Sequence, residues 1–569
     1  MIQLEIINNE IFNNYRGDYM NKVFSFRMNK NLLNLNIFII LFFLILSILS
    51  GIVLIRGGIV FKAWDFNFHL ARVYEIKQSI LDGNGLPKVS LNSFMQNGSA
   101  VMTMYPYINL LIPAIISSFI KNVTASIYIL FILRNFFALI MAYFSCYTFS
   151  KSKYISIIFS MVYTLSALVL HENFYATDLG ISTSLIFLPL VLFGSIQLIE
   201  KYKWRQLAIG LIFISLSHII TAVMSFGLCL GMIALNTSND NLKPILKSVL
   251  KCLFVILLVT SIFWIPFMVL TLSNNIAMPS MSWMLTGVQF TDLANSIFSD
   301  SVYFPYINIF AFAGLIIGNI NYRQMNIYVK QMFFISLLLL FVASPLFPWN
   351  MLNGTFIRET FQRPYRVYII AQLLLSYIFA DGTLQLCKNN KRKKLAFIFI
   401  SILTVMTQMV GQKQIYDTAK NNQYSNERII DAVNKDANYY TDYFPRNAVK
   451  IKNDIINKQG ELRDGKKFSI NIKGNGIMEF KLLSDSNDIR FPFVMYNGIK
   501  YNIKVDDVKV DYHVNNDSQL YLKHMDKGTH TLRINVEKSF YDYFSYLVSF
   551  GGLLLFWIDA ILGRKRKRM

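Results

Sequence analysis

Three chemically reactive side chains lie close together in the segment Trp64-Asp65-Phe66-Asn67-Phe68-His69-Leu70-Ala71-Arg72. If this segment is helical, Asp65, His69 and Arg72 occupy positions i, i+4 and i+7 and share one face. A carboxylate can deprotonate a hydroxyl or bind a divalent metal, and a guanidinium can bind phosphate. The residue types therefore indicate a reaction site, while an interfacial helix with solvated charges would give the same pattern.

The element that positions this segment is an uncharged apolar run, Asn36 to Ile55, which is long enough to span a bilayer. The chain has 569 residues, of which 54% are hydrophobic and only 15% charged. Further uncharged runs of roughly 17–23 residues recur along it, as is typical of a polytopic membrane protein. The four cysteines lack the spacing of metal ligands or disulfides, so we expect inert core residues: Cys146, Cys229, Cys252 and Cys387.

The net charge of +22 lies mostly in short loops and in the C-terminal tail. In a soluble protein this charge would indicate nucleic-acid binding, but here membrane orientation and anionic lipids explain it better, so no nucleic-acid partner is expected.

The positive-inside rule places both termini in the cytoplasm and the loops 57–105, 171–180 and 271–303 outside. We predict about 12 membrane helices, at 36–56, 133–149, 154–170, 180–199, 206–219, 221–237, 250–270, 304–320, 329–344, 365–381, 395–411 and 541–562.

The apolar run 106–120 is predicted not to cross the membrane, because the charge pattern leaves room for one span between residues 105 and 151. The run is short, begins with Tyr105-Pro106-Tyr107 and contains Pro113, so we expect a re-entrant or surface-lying helix. The crossing segment is then 133–149, which places Arg134 near the outer surface, where its charge is less costly.

Residues 413–540 are less hydrophobic than the membrane part, and apolar and polar residues alternate along short segments within them. Alternating segments flank Gly474-Asn475-Gly476, which is a hairpin signal, and further short strands follow. We predict an extracytoplasmic β-sandwich inserted before the last helix, which braces the membrane part in preference to binding carbohydrate through its aromatic residues. The predicted organisation is a cytoplasmic tail (1–35), a membrane domain (36–412) with first outer loop 57–132, the β-rich domain (413–540), the final helix (541–562) and a basic cytoplasmic tail (563–569).

Further polar residues share the predicted outer side. Arginines can hold a lipid phosphate while carboxylates activate an acceptor hydroxyl, which suits transfer of a sugar from a polyprenyl-phosphate carrier. Ordinary roles stay open, since Asp178 and His218 could cap helices and Arg363 and Arg366 could anchor a span at the headgroups. No glycine-rich phosphate loop or Rossmann motif is present, so we expect no nucleotide cofactor. The candidate substrate-binding residues are Arg72, Asp178, His171, His218, Arg134, Arg363 and Arg366.

Several of these segments resemble bacterial YfhO-like membrane proteins and the neighbouring family of pyruvoyl-tetrahydropterin synthase-related membrane proteins. The resemblance covers nearly the whole chain after residue 35. It implies the glycosyltransferase C (GT-C) superfamily, with a multi-span membrane domain, an acidic residue in the first outer loop and a polyprenyl-phosphate sugar donor. The similar segments are 64–72, Gly85-Leu86-Pro87, Tyr105-Pro106-Tyr107, Phe361-Gln362-Arg363-Pro364-Tyr365-Arg366, Tyr443-Phe444-Pro445, Val494-Met495-Tyr496-Asn497-Gly498 and Val505-Asp506-Asp507.

The resemblance assigns the first-loop acid to Asp65, as general base or as ligand of a divalent metal, Mg or Mn. His69 would orient Asp65 or the acceptor, and Glu172, placed by topology, would be the second catalytic acid. We therefore expect a glycosyltransferase at the extracytoplasmic face of a bacterial plasma membrane, acting on a cell-envelope polymer or lipid. The alternatives are a transporter or flippase of a lipid-linked envelope precursor and a non-catalytic scaffold for envelope assembly.

Overall fold

A computed structural model describes residues 30–58, 60–61, 65–277, 283–387, 389–420 and 441–565. Predictions that concern Trp64, residues 1–29 of the N-terminal tail and residues 566–569 of the basic tail lie outside the described residues. The chain divides between Leu46 and Ser47 into two compact units, and all of the candidate site residues belong to the second.

Apolar helices dominate the described chain up to residue 420. Seven of the described helices are long and apolar enough to cross a membrane, and there are eight if the bent pair Lys153–Thr164 and Ala167–Tyr175 forms one span. The protein is therefore a multi-pass helical membrane protein. The α-helices are α1 (Lys30–Leu49), α2 (Ile52–Gly57), α3 (Phe66–Leu81), α4 (Val101–Met104), α5 (Leu111–Phe119), α6 (Val123–Ser150), α7 (Lys153–Thr164), α8 (Ala167–Leu170), α9 (Leu179–Lys201), α10 (Arg205–Ser215), α11 (Ile219–Asn236), α12 (Leu242–Ser273), α13 (Phe290–Ser299), α14 (Ile309–Asn321), α15 (Ile327–Ala343), α16 (Phe356–Phe361), α17 (Tyr368–Leu386), α18 (Asn390–Ala419), α19 (Lys452–Asn457) and α20 (Phe540–Lys565).

Several predicted spans coincide with helices that are shorter than a full crossing. These are α10, α14 and α15, of 11, 13 and 17 residues, together with the apolar part of α1, Asn36–Leu49. A total of about twelve crossings therefore stays a prediction. The run 106–120 forms a 3₁₀ turn, Ile108–Leu110, followed by α5, and this length agrees with a segment that does not cross.

The β-domain is one curled, nine-stranded antiparallel sheet with the order β6-β5-β9-β3-β2-β1-β4-β8-β7. The predicted β-rich domain before the last helix is confirmed, while its sandwich arrangement stays a prediction. The short strand β1 pairs with β2 on one side and with β4 on the other, so the two halves form one sheet. The predicted hairpin at Gly474-Asn475-Gly476 is confirmed between β2 and β3. The strands are β1 (Gln459–Glu461), β2 (Lys467–Gly474), β3 (Ile477–Leu482), β4 (Ser486–Val494), β5 (Lys500–Val505), β6 (Val508–Lys509), β7 (Tyr512–Val514), β8 (Gln519–Met525) and β9 (Gly528–Glu537).

The β-sheet is hydrogen-bonded to the segment that follows α3. The backbone N–H of Val494 donates to the carbonyl of Asn97 at 2.8 Å, and the N–H of Ala100 donates to the Tyr496 hydroxyl at 3.1 Å. Gly98 has φ +80, and a Cβ there would lie 2.6 Å from the Val494 carbonyl oxygen, so the close approach requires glycine. These contacts support the predicted bracing role of the β-domain.

Candidate functional site

The segment from Asp65 to Arg72 is helical, as the sequence predicts. Asp65 lies at the N-cap position of α3, and His69 and Arg72 lie within the first two turns. Asp65 is half-buried, whereas His69 and Arg72 are almost completely inaccessible to solvent. The alternative of an interfacial helix with solvated charges is therefore excluded for His69 and Arg72.

Two helix N-termini meet beside His69. Asp178 caps α9, since its Oδ1 accepts from the backbone N–H groups of Gly180 and Ile181, both at 2.8 Å. The same oxygen lies 3.6 Å from Nε2 of His69. His218 caps α11, with its Nδ1 3.2 Å from the backbone nitrogen of Thr221. The capping alternatives for Asp178 and His218 are thus confirmed, and capping itself places both side chains next to His69.

Burial controls the protonation of these groups. It lowers the pKa of His69 to about 3 and that of His218 to about 4, although Asp178 opposes both shifts. Burial also opposes the charge on Asp178, but His218, His69 and the backbone N–H of Ile181 hold its pKa below the ordinary value. At neutral pH the site therefore holds two neutral imidazoles beside a carboxylate, and Nδ1 of His69 has no hydrogen-bond partner among the described residues.

Glu172 brings a further carboxylate to the same place. It is buried on a single π-helical turn, His171–Tyr175, between α8 and α9. It lies within electrostatic range of Asp65, Asp178 and Arg366. Because π-turns are frequent at functional sites, this local geometry fits a chemical role. We call Asp65, Glu172 and Asp178 the carboxylate cluster.

Arg363 and Arg366 lie beside the carboxylate cluster, within electrostatic range of Glu172. Both are half-buried. Arg363 stacks on the Trp283 ring at 4.7 Å, and Arg366 donates to the Phe361 carbonyl at 2.8 Å. These contacts fix the guanidinium groups next to the acids, which differs from the free exposure expected of simple headgroup anchors.

Arg134 faces the protein interior. It is buried and donates from Nη1 to Oδ1 of Asn173 and to Oγ of Ser182, both at 2.8 Å. These two polar partners on neighbouring elements satisfy the buried guanidinium within the protein, and the position of Arg134 near the outer membrane surface stays a prediction.

Arg72 and His171 also make internal contacts. Nη2 of Arg72 donates to the carbonyls of Tyr105 and Pro106, at 3.1 and 2.7 Å, and the guanidinium lies 4.5 Å from the Tyr105 ring centroid. Nδ1 of His171 lies 2.6 Å from the carbonyl oxygen of Val302. This geometry favours a role in holding the loops at Tyr105 and Val302 in place, and substrate binding by either residue stays a prediction.

Sequence reasoning missed Tyr443, which is half-buried close to Asp65 and Arg72. Burial raises the pKa of Tyr443, so its hydroxyl stays protonated and can donate a hydrogen bond. Tyr443, Thr177 and Gln362 have φ values of +63, +56 and +65, an uncommon backbone conformation for residues other than glycine. Such backbone strain often accompanies functional sites. The only signal in the sequence that points to Tyr443 is the resemblance at Tyr443-Phe444-Pro445.

Glu75 is a second residue that sequence reasoning missed. Its carboxylate is fully buried on α3 and accepts from the backbone N–H groups of Leu91, Asn92 and Ser93, at 2.9, 3.0 and 2.7 Å. The Ser93 hydroxyl donates to it as well, at 2.8 Å. Glu75 therefore ties α3 to the segment 91–93, which in turn contacts the β-domain through Asn92.

An apolar cavity of about 160 Å³ lies along α3 between α5 and α6. His69 and Arg134 line one part of it and Lys77 another. Eight residues of helix separate His69 from Lys77, or about 12 Å along the axis. The wall between is formed mostly by hydrocarbon side chains, including Leu70, Val73, Leu130 and Phe131.

The described residues contain no group of three or more His, Cys, Asp or Glu side chains arranged to hold a metal ion. The carboxylate cluster therefore does not form a protein-built metal site in the described part of the chain. A metal bound by Asp65 stays a prediction, and no step of the chemistry below depends on one.

Comparison of the chain with protein families and with characterised proteins yields no match. Among solved structures, the arabinofuranosyltransferase AftD from mycobacteria is similar at 11% sequence identity with a TM-score of 0.41. The similarity covers 66% of this chain but only 26% of AftD, so the chain matches about a quarter of that protein's length.

Proposed function

We propose that the protein is a GT-C-like membrane glycosyltransferase that transfers a sugar from a polyprenyl-phosphate carrier to a hydroxyl of a cell-envelope polymer or lipid. One observation carries the proposal: Asp65, Glu172 and Asp178 converge with Arg363 and Arg366 although these residues come from distant parts of the sequence. Acids next to arginines meet the two needs of this reaction, activation of a hydroxyl and stabilisation of a leaving phosphate.

In the proposed reaction, Asp65 accepts the proton of the acceptor hydroxyl as its oxygen attacks the anomeric carbon. The bond between that carbon and the phosphate oxygen breaks, and polyprenyl phosphate leaves with the electron pair. Asp65 suits the role of base because it is half-buried, and thus more accessible than Glu172 and Asp178. The half-buried Arg363 and Arg366 would stabilise the charge of the departing phosphate.

The neutral His69 would position the reacting groups. Its Nε2 lies toward Asp178, at 3.6 Å from Oδ1, so a proton on Nε2 leaves the Nδ1 lone pair available to accept a hydrogen bond from a substrate hydroxyl. The low pKa of His69, about 3, argues against a role as the base itself, because so weak a base binds a proton poorly at neutral pH.

The apolar cavity along α3 supports a lipid-linked donor. A hydrocarbon chain gains about 0.8 kcal/mol for each CH₂ that it buries in such a space. Because His69 and Arg134 line the cavity, a chain lying in it would have its polar end close to the carboxylate cluster. The positive-inside rule places this region on the extracytoplasmic side, which agrees with a lipid-linked donor and with the lack of a nucleotide-binding motif.

The test is a transfer assay with the purified full-length protein in proteoliposomes. Radiolabelled polyprenyl-phosphate sugars of several types are supplied together with envelope extract from a strain that lacks the protein. The proposal predicts that label moves from the carrier into envelope polymer or lipid. Full envelope glycosylation in the deletion strain, together with no transfer in proteoliposomes, would contradict it.

A further inference from the structure

A polar pocket of about 330 Å³ lies where the end of α12 meets the β-domain. Its lining is rich in asparagine, contains one arginine and lacks acidic residues. The residues that carry the argument are Asn274, Asn275, Arg446, Asn447, Asn497 and Asn516. Its volume lies at the lower end of the range of roughly 300–1,000 Å³ that is common for small-molecule sites.

The base of this pocket is held together by paired hydrogen bonds. Oδ1 of Asn274 accepts from the backbone N–H of Asn497, and Nδ2 of Asn274 donates to the Asn497 carbonyl, both at 2.9 Å. The backbone N–H of Arg446 donates to the Asn275 carbonyl at 2.8 Å. The backbone N–H of Met495 donates to the Ser518 carbonyl at 2.8 Å, so the four chain segments that line the pocket are fixed to one another.

The rim offers side chains whose polar groups have no hydrogen-bond partner among the described residues. These are Asn275, Arg446, Asn447 and Asn516, all exposed. Each amide supplies one acceptor and two donors, and a guanidinium supplies only donors. Neighbouring hydroxyl groups on a sugar ring both donate and accept, so they match the amides, whereas an apolar ligand would leave them unpaired.

The pocket is also close to the carboxylate cluster. Tyr443 contributes to the site at Asp65, and Arg446 lines the pocket only three residues later, so the two positions are separated by at most about 11 Å of extended chain. Pro445 between them pairs with Ile276 in an isolated β-bridge, which fixes this loop to the end of α12.

We infer that the polar pocket binds a sugar residue of the acceptor, a hydroxyl-rich glycan chain, and presents a neighbouring hydroxyl to the carboxylate cluster. This role as an acceptor subsite rests on the proposed glycosyltransferase function. It differs from the carbohydrate-binding alternative considered from the sequence, since amides at the junction with the membrane part recognise the sugar in place of aromatic side chains within the β-domain.

The test is saturation-transfer difference NMR on the full-length protein in nanodiscs. The probes are methyl α-D-glucopyranoside, N-acetylglucosamine and glucuronic acid, with 1,4-butanediol as a hydroxyl compound that lacks a ring. We expect saturation transfer to at least one sugar and none to butanediol. In the double variant Asn447→Leu/Asn516→Leu the binding should weaken by roughly tenfold, because two amides no longer pair with hydroxyls.

The matched control is Asn471→Leu, an exposed asparagine on β2 outside the pocket, which should keep full binding. Arg446→Gln separates two kinds of acceptor: selective loss of glucuronic acid binding identifies an acidic glycan, and equal retention of all sugars identifies a neutral one. No signal with any sugar, or signals that the double variant leaves unchanged, would overturn the inference. Sugar binding that depends on the pocket in a protein without transfer activity would instead contradict only the proposed function.

Discussion

Glu75 provides the sharpest prediction about how the site is supported. Both carboxylate oxygens face donors only: Oε1 accepts from the N–H of Leu91, and Oε2 accepts from the N–H groups of Asn92 and Ser93 and from the Ser93 hydroxyl. Glutamine has nearly the same shape but replaces one oxygen with an NH₂ group. In Glu75→Gln, either orientation of the amide turns this NH₂ group toward a buried donor.

The size of the effect follows from the hydrogen bonds that are lost. With NH₂ in place of Oε2, the bonds from the N–H groups of Asn92 and Ser93, at 3.0 and 2.7 Å, and from the Ser93 hydroxyl, at 2.8 Å, disappear. Hydrogen bonds to a charged group contribute about 1.5–3 kcal/mol each, so the free energy of unfolding should fall by about 3 kcal/mol or more. The opposite orientation of the amide loses the bond from Leu91 N–H and leaves that buried donor unsatisfied.

The assay is unfolding of the purified protein by titration with sodium dodecyl sulfate, followed by the fluorescence of its tryptophans. The control is Glu359→Gln, since Glu359 is exposed and should tolerate the change within about 0.5 kcal/mol. If Glu75→Gln unfolds at the same detergent fraction as the unchanged protein, the carboxylate does not hold the loop, and the reasoning is refuted.

Three further predictions concern the site and its surroundings. Burial lowers the pKa of His218 from 6.5 to about 4, and an unfolded chain protonates this residue at its ordinary pKa, so stability should fall as the pH decreases from 6.5 toward 4. His218→Asn keeps an N-cap acceptor and should reduce this decline of the unfolding midpoint with pH. The control is His524→Asn, at an exposed histidine. An unchanged decline in His218→Asn, or an equal reduction in His524→Asn, would contradict the reasoning. Arg72→Lys should lower the unfolding free energy by about 2 kcal/mol or more in the detergent titration, because lysine has no planar guanidinium to stack on Tyr105. The exposed Arg463→Lys should have no effect. Equal stability of the two variants would refute this prediction. Leu70→Trp should fill the apolar cavity and raise the KM for a long-chain polyprenyl-phosphate donor more than for a short-chain analogue. Leu81→Trp, on the exposed end of α3, should change neither KM. An equal change in KM for both donors would argue against a lipid chain in the cavity.

Local features of the fold were predictable because local chemistry determines them. The uncharged runs became helices, the i, i+4, i+7 spacing of Asp65, His69 and Arg72 corresponds to α3, and Asp178 caps α9. The strands on both sides of Asn475 pair as the turn residues predict. In each case the signal extends over a few neighbouring residues, where hydrogen bonding and side-chain periodicity decide the structure.

Long-range features were not predictable from one sequence. The three-residue strand β1 is too short to show an alternating pattern, so the continuity of the sheet was missed. The approach of Tyr443 to Asp65 joins residues nearly 400 positions apart in sequence, and no local pattern encodes such a contact. The partners of Arg134, Asn173 and Ser182, could not be recognised before the helices were packed.

The central claim is that Asp65 activates the acceptor in a sugar transfer, and one comparison tests it most directly. Asp65→Asn and Asp82→Asn alter the two ends of the same helix, since Asp65 precedes α3 at the carboxylate cluster and Asp82 follows it on the exposed side. We predict that Asp65→Asn lowers the transfer rate in proteoliposomes by about 10²–10⁴-fold, the usual contribution of a general base, at an unchanged unfolding midpoint. Asp82→Asn should transfer at the normal rate. Full transfer by Asp65→Asn would contradict the claim.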